Sequence, residues 1–167
     1  MFSTEIATPG WHAELRAGDV VAFRFPLAER RKRVVPKTRP CLVLAVSDRD
    51  GVPHALVAYG TSADTSANRG QEVAVATPAG MAAAGLHKPT RFVGARRMLV
   101  PLTSPRFRLR PETGAPILGK LSSADRHALF DVARAILCEQ TGGSRPQRPA
   151  LPTASTTLTP HPKGPSR

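Results

Sequence analysis

Apolar and polar positions alternate with a period of two through residues 19–25, where Val21, Phe23 and Phe25 interleave with Val20, Ala22 and Arg24. That spacing predicts a half-buried strand, stopped by Pro26. Residues 41–46, Cys-Leu-Val-Leu-Ala-Val, are apolar without interruption and bounded by turn formers, which predicts a short strand buried on both faces. Ser47 to Gly51 is a turn, and its Asp50-Gly51 pair suits a hairpin into a strand over 54–59. Residues 60–70 read as a polar loop, followed by strands over 72–75, 91–100 and near 116–118. Residues 106–110 also alternate, with Arg106, Arg108 and Arg110 on the wet face, while residues 78–85 show no clear period. One helix stands out after Leu121. Ser122 is a good N-cap, Asp125 partly completes a capping box, and Leu129, Val132, Ala133, Ile136 and Leu137 form one apolar stripe. Many short strands followed by one helix predict a mainly β fold, a small and strongly curved barrel with a C-terminal α-helix.

Composition changes the picture at the C-terminal end. Residues 142–167 hold six prolines, four Lys or Arg and no acid, so a disordered basic tail is expected after a domain spanning residues 1–141. The chain carries 24 Lys and Arg against 12 Asp and Glu; without the tail 20 cations and 12 acids remain, a net charge of +8. The basic character therefore belongs to the folded part, and it points to a polyanion such as nucleic acid as a partner. Six of the ten residues from Arg30 to Arg39 are cationic. Arg91, Arg96 and Arg97 add a second basic strip. With Arg30, Arg31, Lys32, Arg33 and Lys37 they make a candidate nucleic-acid-binding surface. Tyr59, Trp11 and Phe92 are the obvious aromatics for stacking, although each fits a core position as well.

Several classes of chemistry find no support. There is no phosphate-binding glycine loop and no zinc-ligand spacing, so no metal and no cofactor is expected. The five histidines are scattered. Cys41 and Cys138 lie far apart in apolar runs and read as two reduced, buried thiols. The N-terminal residues lack the basic and apolar regions of a secretory signal, and no apolar run approaches 18 residues. A cytoplasmic protein with no membrane association is expected.

One pair of positions is more specific. Pro40 holds Arg39 towards an extended conformation at the mouth of the buried strand, so Arg39 projects from rigid backbone. If residues 41–46 and 54–60 pair through the Asp50-Gly51 turn, Arg39 and Thr61 become neighbours at one end of the sheet, with Ser62 beside them.

Gly18-Asp19-Val20-Val21, then a charged loop, then Thr38-Arg39-Pro40-Cys41-Leu42-Val43-Leu44 resembles the PemK/MazF toxins of bacterial toxin–antitoxin modules. Tyr59-Gly60-Thr61-Ser62 is similar to that family's hydroxyl-bearing strand end, and residues 117–122 are similar to the segment before its last helix. The resemblance implies an SH3-like barrel, a homodimer, and a metal-independent endoribonuclease that cuts single-stranded RNA and is blocked by a cognate acidic antitoxin. It implies Arg39 as the catalytic arginine and Thr61, with Ser62 as the adjacent alternative, as the catalytic hydroxyl. The sequence departs from the family over residues 92–99, where some members carry an acid and this chain has none. A non-catalytic nucleic-acid-binding barrel is the alternative expectation.

Overall fold

The computed structural model describes residues 10–26, 36–63 and 71–141. Arg30, Arg31, Lys32 and Arg33 and the C-terminal segment 142–167 lie outside the described residues. The elements in chain order are α1 (Trp11–Glu14), β1 (Asp19–Phe23), β2 (Arg39–Arg49), β3 (Val52–Thr61), β4 (Glu72–Val75), α2 (Pro78–Ala83), β5 (Thr90–Pro101), β6 (Ile117–Lys120) and α3 (Ser123–Thr141). The fold is mainly β: the six strands form one antiparallel sheet in the order β4-β5-β3-β2-β1-β6.

Both faces of the sheet are covered, which accounts for the runs without alternation. All five residues of β1 are buried, so the strand expected to be half-buried is covered on both faces, as are Cys41, Leu42, Val43 and Leu44 of β2. Val21, Phe23, Cys41, Val43, Val57 and Tyr59 face one core, closed by Trp11, Leu15, Leu102 and Phe107. Val20, Leu42, Leu44, Ala58, Val73 and Phe92 face the other, closed by Leu129, Val132 and Ile136 of α3. Removing this apolar surface from water on both sides is what holds the central strands in place.

The β2–β3 hairpin turns at Asp50 and Gly51, which have φ of 54° and 79°. Positive φ at both central positions is what a two-residue turn matched to the strand twist requires, and glycine meets it without steric cost. The turn is tighter than the predicted Ser47–Gly51 segment, because β2 continues to Arg49 and β3 starts at Val52. Ala45 and Val46 are exposed, so burial on both faces ends at Leu44, where the hairpin extends beyond the core.

Three further expectations change. Residues 106–110 form no strand: Phe107 makes one bridge to Phe23, and Leu109 is exposed. The helix starts as predicted, with the Ser122 hydroxyl oxygen accepting from the Asp125 N–H at 3.2 Å and its O–H donating to the Asp125 carboxylate at 2.6 Å. Its apolar stripe stops at Ile136, however, since Leu137 is exposed and the sheet offers it no cover. Cys41 is buried as expected, whereas Cys138 is exposed on the outer side of α3. The segment 78–85, which lacked a period, contains the one-and-a-half-turn helix α2, capped by the Thr77 hydroxyl accepting from the Gly80 N–H at 3.1 Å.

Candidate nucleic-acid interface

The pairing of β2 with β3 places Cys41 opposite Tyr59. Continued by two residues, that register sets Arg39 opposite Thr61. On its other side Arg39 is opposite Phe23 of β1, while Thr61 is opposite Arg91 of β5, and Arg91 is opposite Ala74 of β4. Arg39, Thr61 and Arg91 therefore stand in one row across the end of the sheet, on the face that carries Cys41, Val43, Val57 and Tyr59. Arg39, which opens β2, and Thr61, which closes β3, thus lie at the same end of neighbouring strands.

Gly60 makes this end compact. A Cβ at Gly60 would lie 1.9 Å from the Pro40 carbonyl oxygen, so β2 and β3 approach here closer than any side chain allows. The Cys41 thiol lies behind Arg39. Burial pushes its pKa up to about 12, against the smaller opposing effects of the Gly60 backbone and the Arg39 charge. Cys41 is therefore a neutral packing group under the site.

Two guanidinium groups converge on one aromatic ring. Arg39 lies over Tyr59 at 5.8 Å from the ring centre, and Arg96 over the same ring at 6.0 Å. The negative face of an aromatic ring attracts a cation at such distances, so Tyr59 holds both arginines in place by electrostatics. Tyr59 is itself buried and packs against Phe25 at 5.4 Å. It thus cannot serve as an open stacking platform, and Trp11 and Phe92 are equally buried in the two cores.

The other predicted residues divide. Lys37 is exposed just before β2, on the approach to Arg39, and Ser62 is exposed directly after Thr61. The Thr61 hydroxyl oxygen accepts from the Ala63 N–H at 3.1 Å. Arg91 is in the row but engaged with Glu72, at 2.6 Å between Nη2 and Oε2 and 2.8 Å between Nη2 and Oε1. Arg97 is not in the row. It is opposite Ala58, on the α3 face, where its guanidinium donates to the Gly94 carbonyl at 3.0 Å and pairs with Glu139 at 3.4 Å.

Glu72 was missed by sequence reasoning. It is an ordinary outward-facing position of β4, and nothing local links it to an arginine 19 residues away. It is nevertheless an acid at the site end of the sheet, opposite Val93 of the very strand that lacks one. No histidine supports the row among the described residues. His54 is at the far end of the hairpin with its ring 2.8 Å from the Val52 carbonyl, and His87 is exposed in the segment between α2 and β5. His127 is on α3, and His12 packs edge-on against Trp11. No group of three His, Cys, Asp or Glu side chains able to hold a metal ion occurs among the described residues.

Comparison with protein-family models and with curated proteins finds no match. Among the described residues no helix is long and apolar enough to cross a membrane.

Proposed function

We propose that the chain is a PemK/MazF-like toxin with an SH3-like barrel, a metal-independent endoribonuclease that cleaves single-stranded RNA. The observation that supports this reading is that Arg39 and Thr61 lie at the same end of the paired strands β2 and β3, two residues beyond the Cys41–Tyr59 pair, with Arg39 and Arg96 converging on the Tyr59 ring. The net charge of +12 supports a polyanionic substrate.

The arrangement suits attack by a ribose 2′-hydroxyl on its own 3′-phosphate. In that step a bond forms from O2′ to phosphorus and the bond to O5′ breaks. O2′ gives up a proton, O5′ gains one, and the products are a 2′,3′-cyclic phosphate and a 5′-hydroxyl end. Negative charge builds on the non-bridging oxygens, where the Arg39 guanidinium stabilises it without supplying a proton. Thr61 positions the reacting group: its oxygen already accepts from Ala63, which leaves its O–H to donate. Arg96 and Lys37 hold the flanking phosphates.

The partners implied by this reading are an acidic antitoxin covering the basic end of the sheet and a second copy of the chain, in the cytoplasm. One observation favours a second reading, a non-catalytic nucleic-acid-binding barrel. The row Phe23, Arg39, Thr61, Arg91, Ala74 contains no histidine or carboxylate to serve as a general base or acid. Incubation of the pure protein with a long mixed-sequence RNA in EDTA separates the two. Discrete fragments ending in 2′,3′-cyclic phosphate support cleavage, whereas intact RNA with salt-sensitive binding supports the second reading.

A further inference from the structure

The Thr61 hydroxyl is tied to Glu72 through a chain of three contacts. The Ala63 N–H donates to Thr61 Oγ1 at 3.1 Å, the Ala63 carbonyl accepts from Arg91 Nη1 at 3.5 Å, and Arg91 donates to Glu72 through Nε at 3.1 Å and Nη2 at 2.6 Å. We propose that Arg91 and Glu72 act as a positioning clamp that holds the Ala63 carbonyl and, through the Ala63 backbone, the N–H that orients the Thr61 hydroxyl. As a role in RNA cleavage this rests on the function proposed above.

The geometry separates this role from phosphate binding. Two oxygens of Glu72 take the edge of the Arg91 guanidinium, a planar fork matched to a carboxylate. Both side chains are 18% exposed, so the pair is shielded from the counterions that weaken ion pairs at open surfaces. The carboxylate stands on a fixed base. Gln71, immediately before it, accepts at its carbonyl from the Gly94 N–H at 2.7 Å and donates from Nε2 to Glu139 of α3 at 2.6 Å. Arg91 itself stands opposite Thr61 in the sheet. The clamp thus joins the residue just past the Thr61-Ser62 pair to the first residue of β4, whose end is held by its pairing with Val93 of β5. If release of the Ala63 carbonyl let the Ala63 backbone turn, the Thr61 oxygen would lose its N–H donor, and the direction of its own O–H would no longer be set.

Three single variants of the full chain, Glu72→Gln, Arg91→Gln and the conservative Arg91→Lys, and one double variant test the assignment. Backbone amide exchange is the first readout and needs no activity. Glu72→Gln is expected to speed exchange at the Ala63 amide at least 10-fold while leaving exchange in β2 and the melting temperature near those of the parent. The second readout is RNA cleavage, where kcat is expected to fall about 10- to 100-fold, the cost of misplacing a reacting group, with KM within 2-fold of the parent. The Glu72→Gln, Arg91→Lys double variant should lose no more than the worse single one, because both act through one contact. The third readout is the salt dependence of RNA binding, whose log–log slope should be unchanged in Arg91→Gln. A slope shallower by about 0.7 would make Arg91 a phosphate contact and overturn the clamp. Unchanged Ala63 exchange in Glu72→Gln would also overturn it. If the parent protein cleaves no RNA, the proposed function fails, and the exchange and slope readouts still decide the clamp.

Discussion

The Arg39 guanidinium stands over the ring of Tyr59, 5.8 Å from its centre, although Tyr59 is buried and Arg39 reaches the open end of the sheet. The ring is fixed by the packing of one core, and it orients a charge directed away from that core. Arg96 uses the same ring from β5. Replacing the ring should therefore weaken RNA binding without removing a charge. Tyr59→Leu is expected to raise the Kd for single-stranded RNA several-fold at constant salt slope, since loss of cation–π attraction is about 0.5–2 kcal/mol per arginine. Arg96→Gln should lower the slope by about 0.7. Filter binding or fluorescence anisotropy at several salt concentrations distinguishes the two effects.

The closeness of β2 and β3 at Pro40 and Gly60 predicts a strong effect of a single methyl group. Gly60→Ala would place Cβ 1.9 Å from the Pro40 carbonyl oxygen, and the contact is with backbone, which cannot rotate away. A loss of about 3 kcal/mol, the upper end of overpacking costs, is expected in denaturant unfolding. Ser62→Ala, two residues further along and exposed, should leave stability within about 0.5 kcal/mol of the parent.

The two thiols should behave differently. Burial holds Cys41 neutral, with its pKa pushed up to about 12, while Cys138 is exposed on α3. Iodoacetamide at pH 8 is expected to modify Cys138 in the native protein and both thiols after unfolding, with mass spectrometry as the readout. Rapid native labelling of Cys41 would contradict the packing at the base of the site.

Acid should destabilise the fold through His12. Burial lowers its pKa below the ordinary histidine value, opposed in part by a backbone hydrogen bond with Leu102. Its Nδ1 is buried without a hydrogen-bond partner among the described residues, as is Nε1 of the adjoining Trp11. Because the folded state resists the proton more than the unfolded state, this contribution to stability is present above about pH 6.5 and is lost as pH falls through the depressed folded value. Denaturant midpoints measured from pH 7.5 to pH 5 should decline for the parent and decline less for His12→Gln.

How far the site could be read from sequence depends on where each residue's partners lie. Asp50-Gly51 fixes a two-residue turn with Arg49 opposite Val52, so it was legible that Arg39 and the Thr61-Ser62 pair lie at one end of the sheet; the turn's own register would set Arg39 opposite Ser62, and a bulge between Val43 and Ala45 moves it by one residue towards Thr61. Arg91 and Arg97 show the opposite case. They are six residues apart and should share a face of a regular strand. The partner of β5 shifts from Ala58 opposite Arg97 to Tyr59 opposite Val93, so residues 94–96 are additional and the faces exchange. Arg91 consequently joins the row with Thr61, Arg97 turns to α3, and Arg96, within the bulge, reaches Tyr59. No local pattern marks that bulge. The exposure of Leu109 and Leu137 has a related cause, because periodicity says which residues share a face and not how far the covering partner extends. Glu72 was invisible for a third reason: its meaning lies entirely in a contact across two strands.

The central claim is that Arg39 stabilises charge on a phosphate beside Thr61. The direct measurement is cleavage of a long mixed-sequence RNA in EDTA by the parent protein, Arg39→Ala and Thr61→Val, with binding of the same RNA measured in parallel. The account predicts discrete fragments from the parent and a rate lower by about 10²–10³ in Arg39→Ala, comparable to removing one oxyanion-stabilising donor, with binding weakened much less. Cleavage at the parent rate by Arg39→Ala, or no cleavage by the parent protein while it binds the RNA, would contradict it.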